Sequence, residues 1–145
     1  MDNTRPIFIV GTGRCGTRSL FKMLSGTPGV EVHHEFDCTH LQRQAALHYM
    51  QQISDGELHN SLEESYGSAI FYSEAQTWID CSNKASWIMV QLLSRFPDAR
   101  FVVLYRDGRK VTSSFYNKLA LEIYDDESVG KLTQWLTQQS EQPLP

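Results

Sequence analysis

The stretch Pro6-Ile7-Phe8-Ile9-Val10-Gly11-Thr12-Gly13-Arg14-Cys15-Gly16-Thr17-Arg18-Ser19-Leu20 decides how this chain folds. Its four apolar residues, Ile7 to Val10, lack the alternation of a half-exposed strand and read as a short strand buried on both faces. Gly11, Thr12 and Gly13 stop that strand, and from Ser19 the apolar residues Leu20, Phe21, Met23 and Leu24 recur at helical spacing until Gly26 and Pro28. The order of strand, glycine-rich turn and helix is that of a nucleotide-binding α/β unit.

The same order repeats along the chain. Val30 and Val32 suggest a second brief strand leading into His33, His34, Glu35 and Phe36. Residues 40–53 suit a helix closed by an Asp55-Gly56 turn, and residues 58–66 a further short helix, whereas residues 69–77 carry no clear pattern. Trp78, Ile79 and Asp80 end a strand whose loop, Cys81-Ser82-Asn83-Lys84, leads into a helix with Ala85, Ile88, Met89, Leu92, Leu93 and Phe96 on one face. Residues 101–105, Phe-Val-Val-Leu-Tyr, are expected to be the clearest interior strand. Arg106-Asp107-Gly108 is the turn after it, residues 109–120 the next helix and residues 131–139 the last. A mainly parallel central sheet flanked by helices follows, as one α/β domain over residues 1–145.

Composition limits the partners. A formal charge of -4 argues against a general polyanion-binding surface, so no nucleic acid is expected, yet it leaves room for a small anion held by a few local donors. Cys15, Cys38 and Cys81 cannot all pair within the chain and form no CxxC, which suits a reducing compartment. His33, His34, Cys38 and His40 lack the spacing of a zinc site, so no metal is expected. The polar start MDNTRP is no secretory signal and the first apolar run is too short for a membrane span; a cytoplasmic protein without a transmembrane segment is the expectation.

Two segments carry the chemistry. In residues 11–19 the glycines let the backbone turn tightly before a helix, so that amides and the positive end of that helix converge on phosphate oxygens. Arg14 adds a charged fork, and Thr17 and Ser19 add hydroxyls. Gly11, Gly13 and Gly16 fit the weak G-x-G-x-x-G pattern, and Gly11 and Gly16 fit a Walker loop, but Thr17 occupies the Walker lysine position. No convincing magnesium-binding carboxylate compensates in that reading, although Asp80 lies at the end of a strand. In the second segment, residues 101–116, a strand delivers Arg106 to its carboxyl end, and Ser114 lies eight residues on, where both can meet one phosphate. Arg109 and Lys110 add positive field, and Asp107 either caps the helix or orients an arginine.

Together these residues resemble the PAPS-dependent sulfotransferase family, PAPS being 3'-phosphoadenosine 5'-phosphosulfate. PIFIVGTGRCGTRSLFKML looks like the family's 5'-phosphosulfate loop, FVVLYRDGRKVTSSFY like its 3'-phosphate segment, and CSNKASWIMVQLLSRFPDAR like the stretch before it, in the style of bacterial and of tyrosyl-protein and carbohydrate branches. The likeness runs discontinuously over about residues 6 to 117. It implies a three-layer P-loop-like fold and sulfuryl transfer from PAPS to a hydroxyl acceptor, which would be a small molecule, carbohydrate, lipid or peptide. Arg14 would face the transferred sulfate, Gly13, Cys15, Gly16, Thr17, Arg18 and Ser19 would line the 5' end, and Arg106 and Ser114 would hold the 3'-phosphate. Glu35 would accept the acceptor proton, with His34 as the alternative base, and Lys84 would add charge near the sulfuryl group.

The pattern also departs from the family. Arg18 stands where many family loops carry a hydroxyl, and the family's later basic, glycine-containing segment has no clear counterpart after the acidic residues Asp125-Asp126-Glu127. The chain therefore reads either as a compact member or as one lacking the usual carboxyl-terminal portion. A divergent P-loop nucleotide-binding protein or kinase, and a noncatalytic PAPS-binding domain, are the competing readings. Phe71, Tyr72 and Trp78 either wall an acceptor pocket or pack in the core, core packing being the default.

Overall fold

A computed structural model gives the structure of the chain and describes residues 4–120. They fall into two compact units, one ending at Tyr105 and the other starting at Arg106. The helix expected over residues 131–139 lies outside the described residues.

The first unit runs β1 (Arg5–Gly11), α1 (Thr17–Leu24), β2 (Val30–His34), α2 (Cys38–Tyr49), α3 (Asp55–Leu62), α4 (Ser68–Tyr72), β3 (Thr77–Cys81), α5 (Met89–Arg95) and β4 (Arg100–Leu104). All three strand pairings are parallel and the order is β2-β3-β1-β4. Helices cover both faces, because alternate residues of each strand are apolar on opposite sides. Phe8, Val10 and Trp78 lie in the larger core with Leu41, Leu58, Leu62, Tyr66, Ile88 and Leu92, under α2, α3 and α5. Ile9, Ile79 and Cys81 lie in the smaller one, under Leu20, Phe21 and Leu24 of α1. An α/β fold with a parallel sheet flanked by helices is what the patterning led one to expect.

Three local expectations are corrected. Residues 101–105 do not form an interior strand: among the described residues β4 ends the sheet, and Val102 and Val103 are exposed. An apolar run identifies a parallel strand, but it does not give the strand's place in the order. The Asp55-Gly56 pair does not close α2. It forms the first turn of α3, where Ser54 caps the helix: its Oγ accepts from the Glu57 amide at 3.2 Å while the Glu57 carboxylate accepts from the Ser54 amide at 2.9 Å. Ser54→Ala should lower the thermal midpoint by about 3 °C, with no change in nucleotide binding, as differential scanning fluorimetry would show. Finally, α3 does not end near Tyr66. It continues through a π turn, Glu63–Gly67, into α4, and this wide turn carries Tyr66 into the core beneath β3.

Candidate functional site

In a parallel sheet every strand ends on the same edge, and ligands collect there. In the first unit that edge carries three loops in spatial order: Glu35 after β2, residues 82–84 after β3, and residues 12–16 after β1. Glu35 and residues 13–16 were expected as site residues, and so was Lys84, which opens the 3₁₀ turn Lys84–Ile88.

The glycine-rich loop is tightly wound. The Cys15 amide donates to the Thr12 carbonyl at 3.3 Å, and Gly16 takes a left-handed conformation, φ 118°, that a glycine holds without strain. Gly16 is the residue before α1, and its carbonyl accepts from the Ser19 and Leu20 amides at 2.9 and 3.1 Å. Having no side chain, it caps neither the Thr17 nor the Arg18 amide. Arg14 is exposed and itself left-handed, φ 66°. Arg18 and Ser19 are also exposed, whereas Thr17, in the Walker lysine position, is buried. Cys15 folds back on the start of the loop: a Cβ on Gly11 would lie 2.8 Å from Cys15 Sγ and 2.7 Å from the Leu104 carbonyl, so nothing larger than glycine fits there.

Gly11 is also held from the β3 side. Ser86 Oγ accepts from the Gly11 amide at 3.0 Å and donates to the Gly11 carbonyl at 2.9 Å. Ser82 supports the turn that carries Ser86, its hydroxyl accepting from the Lys84 and Ala85 amides at 3.1 and 3.4 Å. Neither serine was singled out in the sequence. The capping pattern of a serine before a short helical run was the available signal for Ser82, and none existed for Ser86.

Glu35 sits in a second strained turn. Its φ is 57° and that of Asp37 is 43°; with Arg14, three of the four described non-glycine residues at positive φ stand in the two loops that carry candidate chemistry. Such backbone costs on the order of 1 to 3 kcal/mol per residue and persists only where neighbours enforce it. Here the Glu35 amide donates to the Cys81 carbonyl at 3.3 Å and the Phe36 amide to Asp80 Oδ1 at 3.1 Å. Asp80 is wholly buried, and its other oxygen accepts from the Tyr66 hydroxyl at 2.7 Å. Burial pushes the Asp80 carboxyl up to about 6, against the opposing pull of the Tyr66 and Phe36 hydrogen bonds. Burial, and then the Asp80 charge, raise the Tyr66 hydroxyl well above the usual tyrosine range. Asp80 thus has both oxygens engaged by the turn that presents Glu35 and by the core. Tyr66 had no signature in the sequence, since only the π turn brings it to β3.

His34 and His33 point to opposite faces of β2. The His34 ring lies 5.9 Å from that of Phe21, on the α1 side. His33 bonds Glu31 at 2.8 Å and packs against Trp78, ring centroids 4.9 Å apart and planes tilted by 34°. Among the described residues no group of three or more His, Cys, Asp or Glu is arranged to hold a metal ion. Trp78 is core, while Phe71 and Tyr72 are exposed on α4, which leads into the opposite, amino-terminal end of β3; none of the three lies on the loop-bearing edge.

The second unit begins with Arg106 and contains α6 (Gly108–Ala120). Arg106, Arg109, Lys110, Ser113 and Ser114 line a cleft of about 420 Å³ together with Asp107 and Asn117. Asp107 performs both of its expected tasks. Its Oδ1 accepts from the Arg109 amide at 3.0 Å, capping α6, and its carboxylate receives the Arg109 guanidinium at 3.1 and 3.2 Å. The Arg109 hydrogen bonds hold the Asp107 carboxyl below the usual range. Arg106 and Ser114 therefore line one cleft, as their spacing suggested, and its charge and hydroxyls suit a phosphate.

Comparison with known proteins gives a family. Residues 6–142 match the Sulfotransferase family, a span that includes both phosphate-suited segments and Glu35. Neither curated proteins nor solved structures gave a match to the chain. No helix among the described residues is long and apolar enough to cross a membrane. On the extent of that match, the chain belongs to the sulfotransferase family.

Proposed function

We propose that the protein transfers a sulfuryl group from PAPS to a hydroxyl acceptor, using a P-loop-like site. The observation that supports this reading is the common sheet edge of the glycine-rich loop and Glu35, with Arg14, Gly16 and Glu35 in left-handed backbone. The donor chemistry fits the nucleotide. Amides of Gly13, Gly16, Thr17 and Arg18, the Ser19 hydroxyl and the Arg14 guanidinium suit the 5'-phosphosulfate, with Cys15 lining the loop; Arg106 and Ser114 suit the 3'-phosphate. Buried Thr17 in the Walker lysine position counts against a kinase.

In the proposed reaction the acceptor oxygen attacks sulfur in line as the bond from sulfur to the bridging oxygen breaks. The acceptor proton passes to the Glu35 carboxylate, and the electron pair stays on the 5'-phosphate, where Arg14 balances the growing charge. Lys84 stands in the neighbouring loop to add positive charge. His34 would replace Glu35 only if the acceptor approached from the α1 side of β2.

The test is to incubate the protein with PAPS and a panel of phenols, sugars, lipid alcohols and tyrosine peptides. Release of 3'-phosphoadenosine 5'-phosphate (PAP) that depends on one acceptor class, with the sulfate recovered on that acceptor, supports the reading. Tight PAP binding with no transfer to any of them would leave a noncatalytic nucleotide-binding domain instead.

A further inference from the structure

Gly11 is the last residue of β1 and the first of the glycine-rich loop. Alternate residues of a parallel strand direct both their N–H and C=O groups at the same neighbouring strand. Ile9 directs its carbonyl to β3, where the Ser82 amide donates to it at 2.9 Å. Gly11, two residues on, faces the same side, but β3 pairs only as far as Cys81, opposite Ile9. The rung that β3 no longer supplies is supplied by one side chain. Ser86 Oγ accepts from the Gly11 amide at 3.0 Å and donates to the Gly11 carbonyl at 2.9 Å, so a single hydroxyl satisfies both groups. The other sides of Gly11 are closed by the Leu104 carbonyl and Cys15 Sγ.

We infer that Ser86 is a positioning residue for the 5'-phosphate, fixing the point from which the loop departs and hence the direction of its amides. The inference rests on the PAPS reading above. Ser86 also belongs to the turn opened by Lys84, so the same hydroxyl ties the anion loop to the candidate cation of the neighbouring loop. Without it, the Gly11 amide and carbonyl lose their partner and the loop can leave β1 in more than one direction. A phosphate held by several converging amides is sensitive to such a change.

The effect is confined to one end of the ligand, which makes it measurable. Calorimetric competition gives the affinities of PAP and of adenosine 3'-phosphate, which lacks the 5'-phosphate; their ratio is what the 5'-phosphate contributes. Ser86→Ala is expected to shrink that ratio about tenfold, mainly through weaker PAP binding. Ser86→Cys, of similar bulk but poorer hydrogen bonding, should do the same, and Ser86→Thr, which keeps the hydroxyl, should restore it. An unchanged ratio in both the Ala and Cys variants, or equal weakening of both ligands, overturns the inference. Wild-type protein that fails to prefer PAP over ADP defeats the PAPS reading itself, a result distinguishable from either of these.

Discussion

Glu35→Gln is expected to slow acceptor-dependent PAP formation by about 10² to 10⁴-fold while leaving PAP affinity within about twofold. The substitution keeps the shape of the side chain and removes only its capacity to take a proton. The surrounding backbone is anchored independently of that side chain, by the Glu35 amide on the Cys81 carbonyl and the Phe36 amide on Asp80. Glutamine should therefore occupy the same left-handed turn. A steady-state assay with the best acceptor of the panel reads kcat, and calorimetry with PAP reads the nucleotide site. Turnover within a few-fold of wild type would remove Glu35 from the chemistry and move attention to His34 at the end of β2.

The second large effect concerns stability and its dependence on pH. Asp80 ordinarily titrates near 3.8, and burial raises it to about 6 in the folded protein. The folded state then binds this proton more tightly than the unfolded chain does. The resulting stabilisation is fully present below about pH 4 and is lost as pH rises through about 6, amounting to ~3 kcal/mol by neutral pH. Asp80→Asn cannot titrate. Its oxygen can still accept from the Phe36 amide, and its amide can donate to the Tyr66 oxygen. Urea denaturation from pH 4 to 7.5 should show wild type losing ~2 kcal/mol relative to the variant across this range. Parallel profiles would mean that Asp80 is not held in the dry environment described.

The fold was readable where the chain repeats one physical pattern. Continuous apolar runs at Ile7 to Val10 and residues 101–105, each followed by a polar turn and a helix, identified parallel strands, the second of which ends at Leu104. They did not reveal that β4 ends the described sheet, because neighbouring strands are chosen by tertiary packing. The candidate site divides in the same way. Residues 11–19 were legible because a tight turn needs glycine and an anion needs donors in close sequence. Arg106 and Ser114 were legible because a strand end and a helix turn have known spacing. Asp80, Tyr66 and Ser86 were not legible in the roles they hold. Asp80 stood in the sequence only as the carboxylate at a strand end, whereas its partners come from a π turn and from the Glu35 loop, 14 and 44 residues away. Ser86 bonds Gly11 across 75 residues. Such contacts exist only once the strands have been ordered.

The most direct test of the central claim is a calorimetric titration with PAP, using ADP and 5'-AMP as controls, in wild type and in Arg106→Ala. A nucleotide with a 3'-phosphate is what separates a PAPS enzyme from an ordinary adenine nucleotide protein. The account predicts clear preference for PAP in wild type and a loss of about 10 to 100-fold in PAP affinity on removing the Arg106 guanidinium, with the controls little changed. Equal binding of PAP and ADP by folded wild-type protein, or full PAP affinity in Arg106→Ala, would contradict it.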